Sequence, residues 1–220
     1  MKCIVTAGPT YEELDDVRRM TNFSTGTLGT ELANFLVEQG QEVVLLRGYY
    51  STCQIEPAAQ IVRVFTTTAD LSRRLKTLGS GKIGAVFHAA AVSDFAIGKI
   101  WRRMSNNKLS EIKSRKIPTR WGTVLAELKP APKIIGRLRG WFPKARLIGW
   151  KYELDGVRKD AILLAERQMQ EYQTDACVIN GSAYGMGCGL VEAPGRCRHL
   201  RDKGALFKAL AGLLEIPVSH

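Results

Sequence analysis

The sequence predicts an α/β fold: a three-layer, doubly wound, mostly parallel sheet of the Rossmann-like kind, with a long flap. Short apolar, β-prone runs alternate along the chain with segments of helical period. Residues 83–92 are almost continuously apolar, as expected of a central parallel strand that is buried on both faces. Glycine-rich turns follow the first strand, where sheets of this class bind ligands beyond the carboxyl ends of their strands.

The first unit is strand, turn, helix and strand. Cys3–Thr6 predicts the first strand, and residues 22–29 form a turn rich in glycine, serine and threonine. This turn opens a helix whose apolar face is Leu32, Ala33, Leu36 and Val37, and the second strand is 43–46. Backbone N–H groups at such a helix start favour phosphate. The alternative is an ordinary helix start capped by Ser24 or Thr25.

The other predicted elements follow in chain order. They are a strand over 61–65, a helix over 68–78, a strand over 83–92, the flap over about 96–122, a strand over 124–128, a helix from 132 to about 140, a strand over 145–149, a helix over 157–172, a strand over 175–179, a glycine-rich cover over 183–195 and a helix over 203–214. The flap is polar, basic and without a steady apolar period, so we expect a long loop. We expect residues 1–220 to form a single domain.

Composition restricts the function. The formal net charge of +11 is typical of a protein that binds either nucleic acid or phosphorylated small molecules. The basic residues concentrate over 99–151 together with the four tryptophans, but nothing resembles a nucleic-acid module, so we expect no nucleic-acid partner. No apolar run reaches membrane-spanning length and Met1-Lys2 leads straight into a strand, so we expect neither membrane nor signal peptide. Five cysteines without a Cys-x-x-Cys pair indicate a reducing cytoplasm.

Two segments carry the candidate site. A long charged insertion, residues 11–22, separates the two glycine turns, whereas a purely structural connection in such a unit is short. At the exit of the 83–92 strand, small residues let a ligand approach the backbone, and Asp94 follows them. The alternative is that the alanines pack under a helix and that Asp94 caps the next turn. His88, in the apolar run, is interpreted as a hydrogen-bonded strand residue.

These segments resemble a known family. Residues 6–10, 14–18 and 22–26 (TAGPT, LDDVR and NFSTG) resemble, in this order, the opening of phosphopantothenoylcysteine synthetase, and 90–95 (AAVSDF) resembles its substrate-binding strand. The resemblance implies a ligase that joins 4′-phosphopantothenate and cysteine through an acyl-nucleotide, using CTP or ATP with Mg²⁺. It also implies a homodimer, and no flavin, because the decarboxylase domain of the fused enzymes has no counterpart here.

The resemblance assigns the site residues. The implied catalytic residues are Asn22 and Lys116, the nucleotide-binding residues are Gly8, Ser24, Gly26, Gly29, Trp150 and Asn180, and the substrate-binding residues are Arg18, Asn22, Ala90, Ala91 and Asp94. Trp150 stands where the family has phenylalanine. Arg18 would bind a phosphate, of its own or of the neighbouring subunit.

Some alternatives stay open. Lys108 and Lys113 compete with Lys116 for the triphosphate, and the sequence leaves CTP against ATP undecided. A non-catalytic nucleotide- or nucleic-acid-binding protein is the alternative function. An NAD-dependent oxidoreductase is disfavoured, because the second strand ends in Leu46-Arg47-Gly48 without an acidic ribose anchor.

Overall fold

An eight-stranded sheet forms the centre of the computed structural model, which describes residues 1–215. The strands are β1 (Lys2–Ala7), β2 (Tyr11–Glu13), β3 (Arg19–Thr21), β4 (Glu42–Gly48), β5 (Ile61–Phe65), β6 (Ala85–His88), β7 (Phe95–Arg103), β8 (Leu109–Glu111), β9 (Val124–Pro130), β10 (Arg146–Tyr152), β11 (Ala176–Asn180), β12 (Cys188–Ala193) and β13 (Arg196–Leu200). The helices are α1 (Thr27–Glu38), α2 (Thr68–Leu78), α3 (Ile135–Trp141), α4 (Arg158–Tyr172) and α5 (Lys203–Gly212).

The strand order confirms the predicted fold class. The central sheet runs β13-β12-β11-β10-β6-β1-β4-β5, and the six strands from β11 to β5 are parallel. Along the chain, β4 and β5 are added on one side of β1, and β6 is then added on the other side. The order therefore reverses between β1 and β6, and ligands bind at such a switch point beyond the carboxyl ends of the strands.

Alternate residues of each parallel strand face opposite helical layers. In β1, Cys3 and Val5 belong to the core beneath α1 and α5, whereas Ile4 belongs to the core beneath α2 and α3. A third cluster packs α4 against β11 and β12. The inner strands β1, β4, β6 and β11 are covered on both faces and are apolar over most of their length, which is why the sequence predicted them well.

The flap is a sheet, so the expected loop over 96–122 is wrong. β7, β8 and β9 form a three-stranded antiparallel sheet in the order β8-β7-β9. The register of β7 against β9 shifts between Ile97 and Ile100, and no residue of β7 is fully buried. A bulge interrupts the two-residue period, and half-exposed faces weaken it further, so the sequence carried no clear strand signal.

The glycine-rich cover expected over 183–195 is also largely regular structure. β12 and β13 extend the central sheet antiparallel to β11. The positive-φ glycines Gly185, Gly187 and Gly195 lie in the turns beside these strands. Two further bounds differ: the strand expected over 83–92 is regular only over β6, and the helix expected from 132 begins at Ile135. The other predicted elements are confirmed within a few residues.

All five cysteines have free thiols. Burial raises the pKa of Cys3 to about 11 and the pKa of Cys177 to about 12, so both stay protonated and pack as apolar side chains. Within the part of the chain that the structure describes, no helix is both long and apolar enough to cross a membrane.

Candidate active site at the switch point

The loops that follow β1 and β6 join into one floor at the switch point. The Thr10 N–H donates to the Ala91 carbonyl at 3.1 Å, and the Ala91 N–H donates to the Gly8 carbonyl at 3.0 Å. The Ala90 N–H donates to Thr6 Oγ1 at 3.0 Å. These bonds continue the parallel pairing past the strand ends, so Gly8, Ala90 and Ala91 lie together at the switch point.

A buried hydroxyl cluster fixes this floor from below. The Ser93 N–H donates to Thr10 Oγ1 at 2.8 Å, and the hydroxyls of Thr10 and Ser93 are 3.0 Å apart. Thr68 at the start of α2 donates its hydroxyl to Thr10 at 3.2 Å. Because all three residues are buried, the backbone just before Asp94 is held rigidly.

His88 supports the same floor, as the strand interpretation predicted. Its side chain is 6 % exposed, and its Nδ1 lies 3.0 Å from Thr6 Oγ1. The same hydroxyl accepts the Ala90 N–H, so one buried threonine joins the imidazole to the loop after β6. Burial lowers the pKa of His88 to about 4, so the ring is neutral at pH 7.

We expect His88 to make the folding free energy depend on pH. An unfolded histidine has a pKa of about 6.5, whereas the folded ring resists protonation down to about 4. Stability is therefore complete above pH 6.5 and is lost as the pH falls towards 4, by about 3 kcal/mol. Denaturant unfolding at pH 7.5 and pH 4 measures this loss, and in His88→Asn the loss should be smaller by about that amount.

The matched control is His199→Asn, which removes an exposed histidine and should keep the pH-dependent loss. Equal losses of stability in the wild type and in His88→Asn would show that His88 titrates alike in both states. The comparison of variants is needed because the carboxylates also titrate over this range.

The glycine turn brings the start of α1 against the loop after β1. Gly26 has φ +77°, and a Cβ there would lie 3.1 Å from the Gly8 nitrogen. A Cβ on Gly29 would lie 2.6 Å from Ala7 Cβ, so Gly29 is explained by close packing of α1 on β1. The first turn of α1 has no side-chain cap from Gly26, whereas Thr67 and Asp202 cap α2 and α5. Thr25 Oγ1 accepts the Thr27 N–H at 3.2 Å, so the alternative of a Thr25 cap holds for that one group. The N–H groups of Leu28 and Gly29 remain for an anion.

Asn22 reaches the floor from the opposite side. Its Nδ2 lies 3.4 Å from the Ala91 carbonyl and 3.3 Å from the Val92 carbonyl. Ser24, two residues on, donates its N–H to the Asn22 carbonyl at 2.9 Å. The exposed carboxylate of Asp94 is paired with Lys133, which follows Pro132 before α3. Asn22, Ser24 and Asp94 therefore border the same floor.

Trp150 and Asn180 line a neighbouring cavity of about 260 Å³ between α1, β10, β11 and α5. The other lining residues include Leu28, Arg201 and Lys203. Trp150 Nε1 and Asn180 Oδ1 are buried and have no hydrogen-bond partner. Buried polar atoms are nearly always paired. A ligand in this cavity can therefore accept a hydrogen bond from Trp150 Nε1 and donate one to Asn180 Oδ1.

Arg18 and Lys116 lie where the β2–β3 hairpin meets the flap. Arg18 Nη2 donates to the Ile117 carbonyl at 2.8 Å, and its Nε donates to Asp15 Oδ2 at 3.0 Å. The Lys116 side chain is exposed, and Ile117 beside it is 5 % exposed. Much of the Arg18 guanidinium is therefore already engaged within the chain.

Three residues that the sequence did not single out support these positions. Asp15 binds Arg18, Lys133 pairs with Asp94, and Ser51 donates its hydroxyl to the Thr25 carbonyl at 2.7 Å in the glycine turn. Asp15 lies in the LDDVR motif, so it had a sequence signal, and Lys133 falls at the start of the helix predicted from 132, whereas Ser51 had no signal.

The described residues do not provide a dedicated metal site. Among residues 1–215 no group of three His, Cys, Asp or Glu side chains could hold an ion. Asp94, the carboxylate at the floor, is neutralised by Lys133. A Mg²⁺ ion that retains waters and binds mainly phosphate oxygens needs no such cluster.

Comparison with known proteins places the chain in a family. Residues 1–204 match the model of the family described as DNA/pantothenate metabolism flavoprotein C-terminal domain. A coenzyme A biosynthesis bifunctional protein CoaBC from Thermococcus kodakarensis is 32% identical over 180 residues, which are 81% of this chain and 41% of that protein. The CoaBC protein of Bacillus subtilis is 26% identical over 206 residues, 93% of this chain and 47% of its own length. The chain thus spans about half the length of these curated relatives.

Solved structures share the fold. The DNA/pantothenate metabolism flavoprotein from Streptococcus pneumoniae superimposes with a TM-score of 0.84 at 24% identity, covering 98% of both chains. A Cab2 mutant in complex with phosphopantothenate-cysteine gives a TM-score of 0.74 at 19% identity, covering 97% of this chain and 85% of that one. At these identities the likeness concerns the fold.

Proposed function

Since the chain belongs to the DNA/pantothenate metabolism flavoprotein C-terminal domain family, we propose that it joins 4′-phosphopantothenate to L-cysteine through an acyl-nucleotide made from CTP or ATP. Its curated relatives are named for coenzyme A biosynthesis, and a structural neighbour holds phosphopantothenate-cysteine, the product of such a reaction. Residues 1–220 would act as one domain, in the cytoplasm, where the cysteine substrate stays reduced.

The observation that carries the proposal is the contact of Asn22 with the Ala91 and Val92 carbonyls. It places the Asn22 amide between two surfaces that suit different ligand groups. On one side is the start of α1 behind Gly26, where the N–H groups of Leu28 and Gly29 suit phosphate. On the other is the small-residue floor that leads to Asp94, which suits the extended arm of phosphopantothenate. A carboxylate and a triphosphate can thus meet beside Asn22.

The proposed chemistry has two displacement steps. The substrate carboxylate attacks the α-phosphorus, a P–O bond to the nucleotide forms, and the bond to pyrophosphate breaks. The cysteine amine then attacks the acyl carbon, loses a proton and expels the nucleoside monophosphate. Both steps move negative charge between oxygens, so positioned cations and N–H donors matter more than acid–base groups. No electrons are transferred, so the reaction needs no flavin.

Each residue has a role in this scheme. Ser24 and the first turn of α1, behind Gly8 and Gly26, hold phosphates, and Lys116 neutralises the triphosphate. Asn22 donates to the acyl oxygen. The cavity lined by Trp150 and Asn180 binds the nucleotide base. The residues that bind 4′-phosphopantothenate are Arg18, Ala90, Ala91 and Asp94. Mg²⁺, brought by the nucleotide, would offset triphosphate charge.

Pyrophosphate release by the purified chain tests the function. With CTP or ATP, release should require 4′-phosphopantothenate, and formation of the amide should additionally require cysteine. Running each triphosphate separately decides between CTP and ATP. Binding of a nucleotide with no pyrophosphate release under any combination would favour the alternative, a non-catalytic nucleotide-binding protein.

We also propose a homodimer. The flap sheet exposes large apolar side chains, namely Phe95, Leu109 and Leu128, which a second copy would cover. The flap and residues 183–195 form strands within one chain, so their order needs no partner. Sedimentation at micromolar concentration should give about twice the monomer mass, and a fully active monomer would contradict the proposal.

A further inference from the structure

The tip of the β2–β3 hairpin holds the flap on both sides of Lys116. On one side, the Asp16 N–H donates to the Arg115 carbonyl at 2.9 Å, and Arg115 Nε donates to Asp16 Oδ2 at 2.6 Å. On the other side, the Ile117 N–H donates to Asp15 Oδ2 at 3.1 Å, and Arg18 Nη2 donates to the Ile117 carbonyl at 2.8 Å. We call these five residues the hairpin–flap latch.

Asp15 is the centre of the latch. Its side chain is only 2 % exposed, yet it is fully bonded. Oδ1 accepts the N–H groups of Val17 at 3.0 Å and Arg18 at 2.8 Å, while Oδ2 accepts from Arg18 Nε and Nη2 and from Ile117. The Arg18 guanidinium, with the N–H groups of Ile117 and Val17, holds the pKa of Asp15 well below its usual range. Asp15 is therefore a charged carboxylate at any physiological pH.

The latch determines where the Lys116 backbone sits. The ammonium of Lys116 has no partner among residues 1–215, so its own contacts do not position it. Its two chain neighbours are bound to the hairpin, and the side chain of Ile117 is buried. The same hairpin ends at Thr21, directly before Asn22. One small element thus connects the two residues to which the proposed reaction assigns charge stabilisation.

We propose that Asp15 is a positioning residue that fixes Lys116 through the hairpin–flap latch and so places it relative to Asn22. The catalytic part of this inference rests on the proposed function, whereas the mechanical part does not. Asp15 touches neither substrate nor reacting atoms; it acts by ordering residues 115–117 against the hairpin. Without that order, the lysine would sample many positions over a flexible flap, and reaction geometry is sensitive to displacements of about 1 Å.

The mechanical part is tested by hydrogen exchange on Asp15→Asn. An amide side chain keeps the shape but loses the charge that binds Arg18 and Ile117. Exchange at the Ile117 amide, which donates to Asp15 Oδ2, should become at least about tenfold faster, which corresponds to the loss of one hydrogen bond, with β1 and β6 unchanged. Asp16→Asn is the matched control. It affects the same flap segment, but only through an exposed ion pair, and should change exchange less than about threefold.

The catalytic part is tested by a double-mutant cycle with Lys116→Ala. In the wild-type background Asp15→Asn should lower kcat by about 30-fold, but in the Lys116→Ala background by less than about threefold, since a residue that acts through Lys116 has nothing left to position. Equal factors in both backgrounds, or unchanged exchange at 115–117, would overturn the inference. Should Asp15→Asn not fold, Arg18→Gln removes the bond to Ile117 and serves for the exchange measurement.

The two proposals can fail separately. If the wild type releases no pyrophosphate, the proposed function is rejected. The exchange experiment still decides whether Asp15 orders residues 115–117. If the wild type is active and the cycle is additive, the ligase proposal stands and the positioning role of Asp15 is rejected.

Discussion

Asn22→Asp is expected to lower turnover by about three orders of magnitude while the fold is retained. The Asn22 amide donates towards the carbonyls of Ala91 and Val92 and, in the proposed reaction, to the acyl oxygen. An aspartate of the same shape cannot donate. It also places a negative charge beside two carbonyl oxygens and beside the reacting carboxylate and phosphoryl groups, which it repels. The side chain is exposed, so the fold does not depend on it.

Steady-state pyrophosphate release at saturating substrates measures this effect. Asn106→Asp is the matched control, because Asn106 Oδ1 only accepts the Lys108 N–H at 3.1 Å, and a carboxylate keeps that bond. We expect the control to stay within about twofold of the wild type. Thermal unfolding of both variants checks the fold. Turnover of Asn22→Asp close to the wild-type value would remove Asn22 from the catalytic residues.

The central sheet was predictable because its signals are local. α2 begins at Thr68 and ends at Leu78 as the sequence predicted, since a threonine-rich start and Gly79 and Gly81 mark its two ends. Thr67 caps this helix by accepting the Asp70 N–H at 3.2 Å. Strands buried on both faces are equally visible, because each carries a run of consecutive apolar residues, such as 43–46 in β4.

The flap and the sheet edge were not predictable for the opposite reason. β7 is half exposed on both faces and changes register at a bulge, so its apolar residues do not alternate. β12 and β13 are short and flanked by glycines that serve turns, and glycine-rich sequence is easily interpreted as irregular. In both regions, pairing with a distant segment decides the structure.

The site residues were found through motifs, whereas their contacts were not. Asp15 and Ile117 are 102 residues apart in the chain, and Asp94 and Lys133 are 39 apart. No spacing rule joins such pairs. The sequence therefore treated Arg18 as a free phosphate ligand, although its guanidinium is bound to Asp15 and to the flap. Lys116, by contrast, gains support from the same contacts, and this motivates the last prediction.

Lys116→Ala is expected to lower the rate of pyrophosphate release by about a hundredfold. Loss of a charge-assisted contact to the reacting phosphates raises the barrier by about 3 kcal/mol. Lys108 and Lys113 compete on sequence grounds, but they lie outside the hairpin–flap latch. Lys108 is in the turn before β8, and Lys113 follows that strand; both side chains are exposed. Alanine at either position should raise the barrier by less than about 1 kcal/mol, which lowers the rate by less than about fivefold.

Three single variants, Lys108→Ala, Lys113→Ala and Lys116→Ala, assayed side by side at saturating and at low triphosphate, decide which lysine acts. The three changes remove the same charge from the same flap, so each variant controls for the general loss of positive potential. Lys116→Arg keeps that charge with a different shape and should recover only part of the rate. A large loss in Lys108→Ala or Lys113→Ala, with Lys116→Ala near the wild type, would mean that a different part of the flap meets the triphosphate and that the latch holds a lysine without a catalytic role.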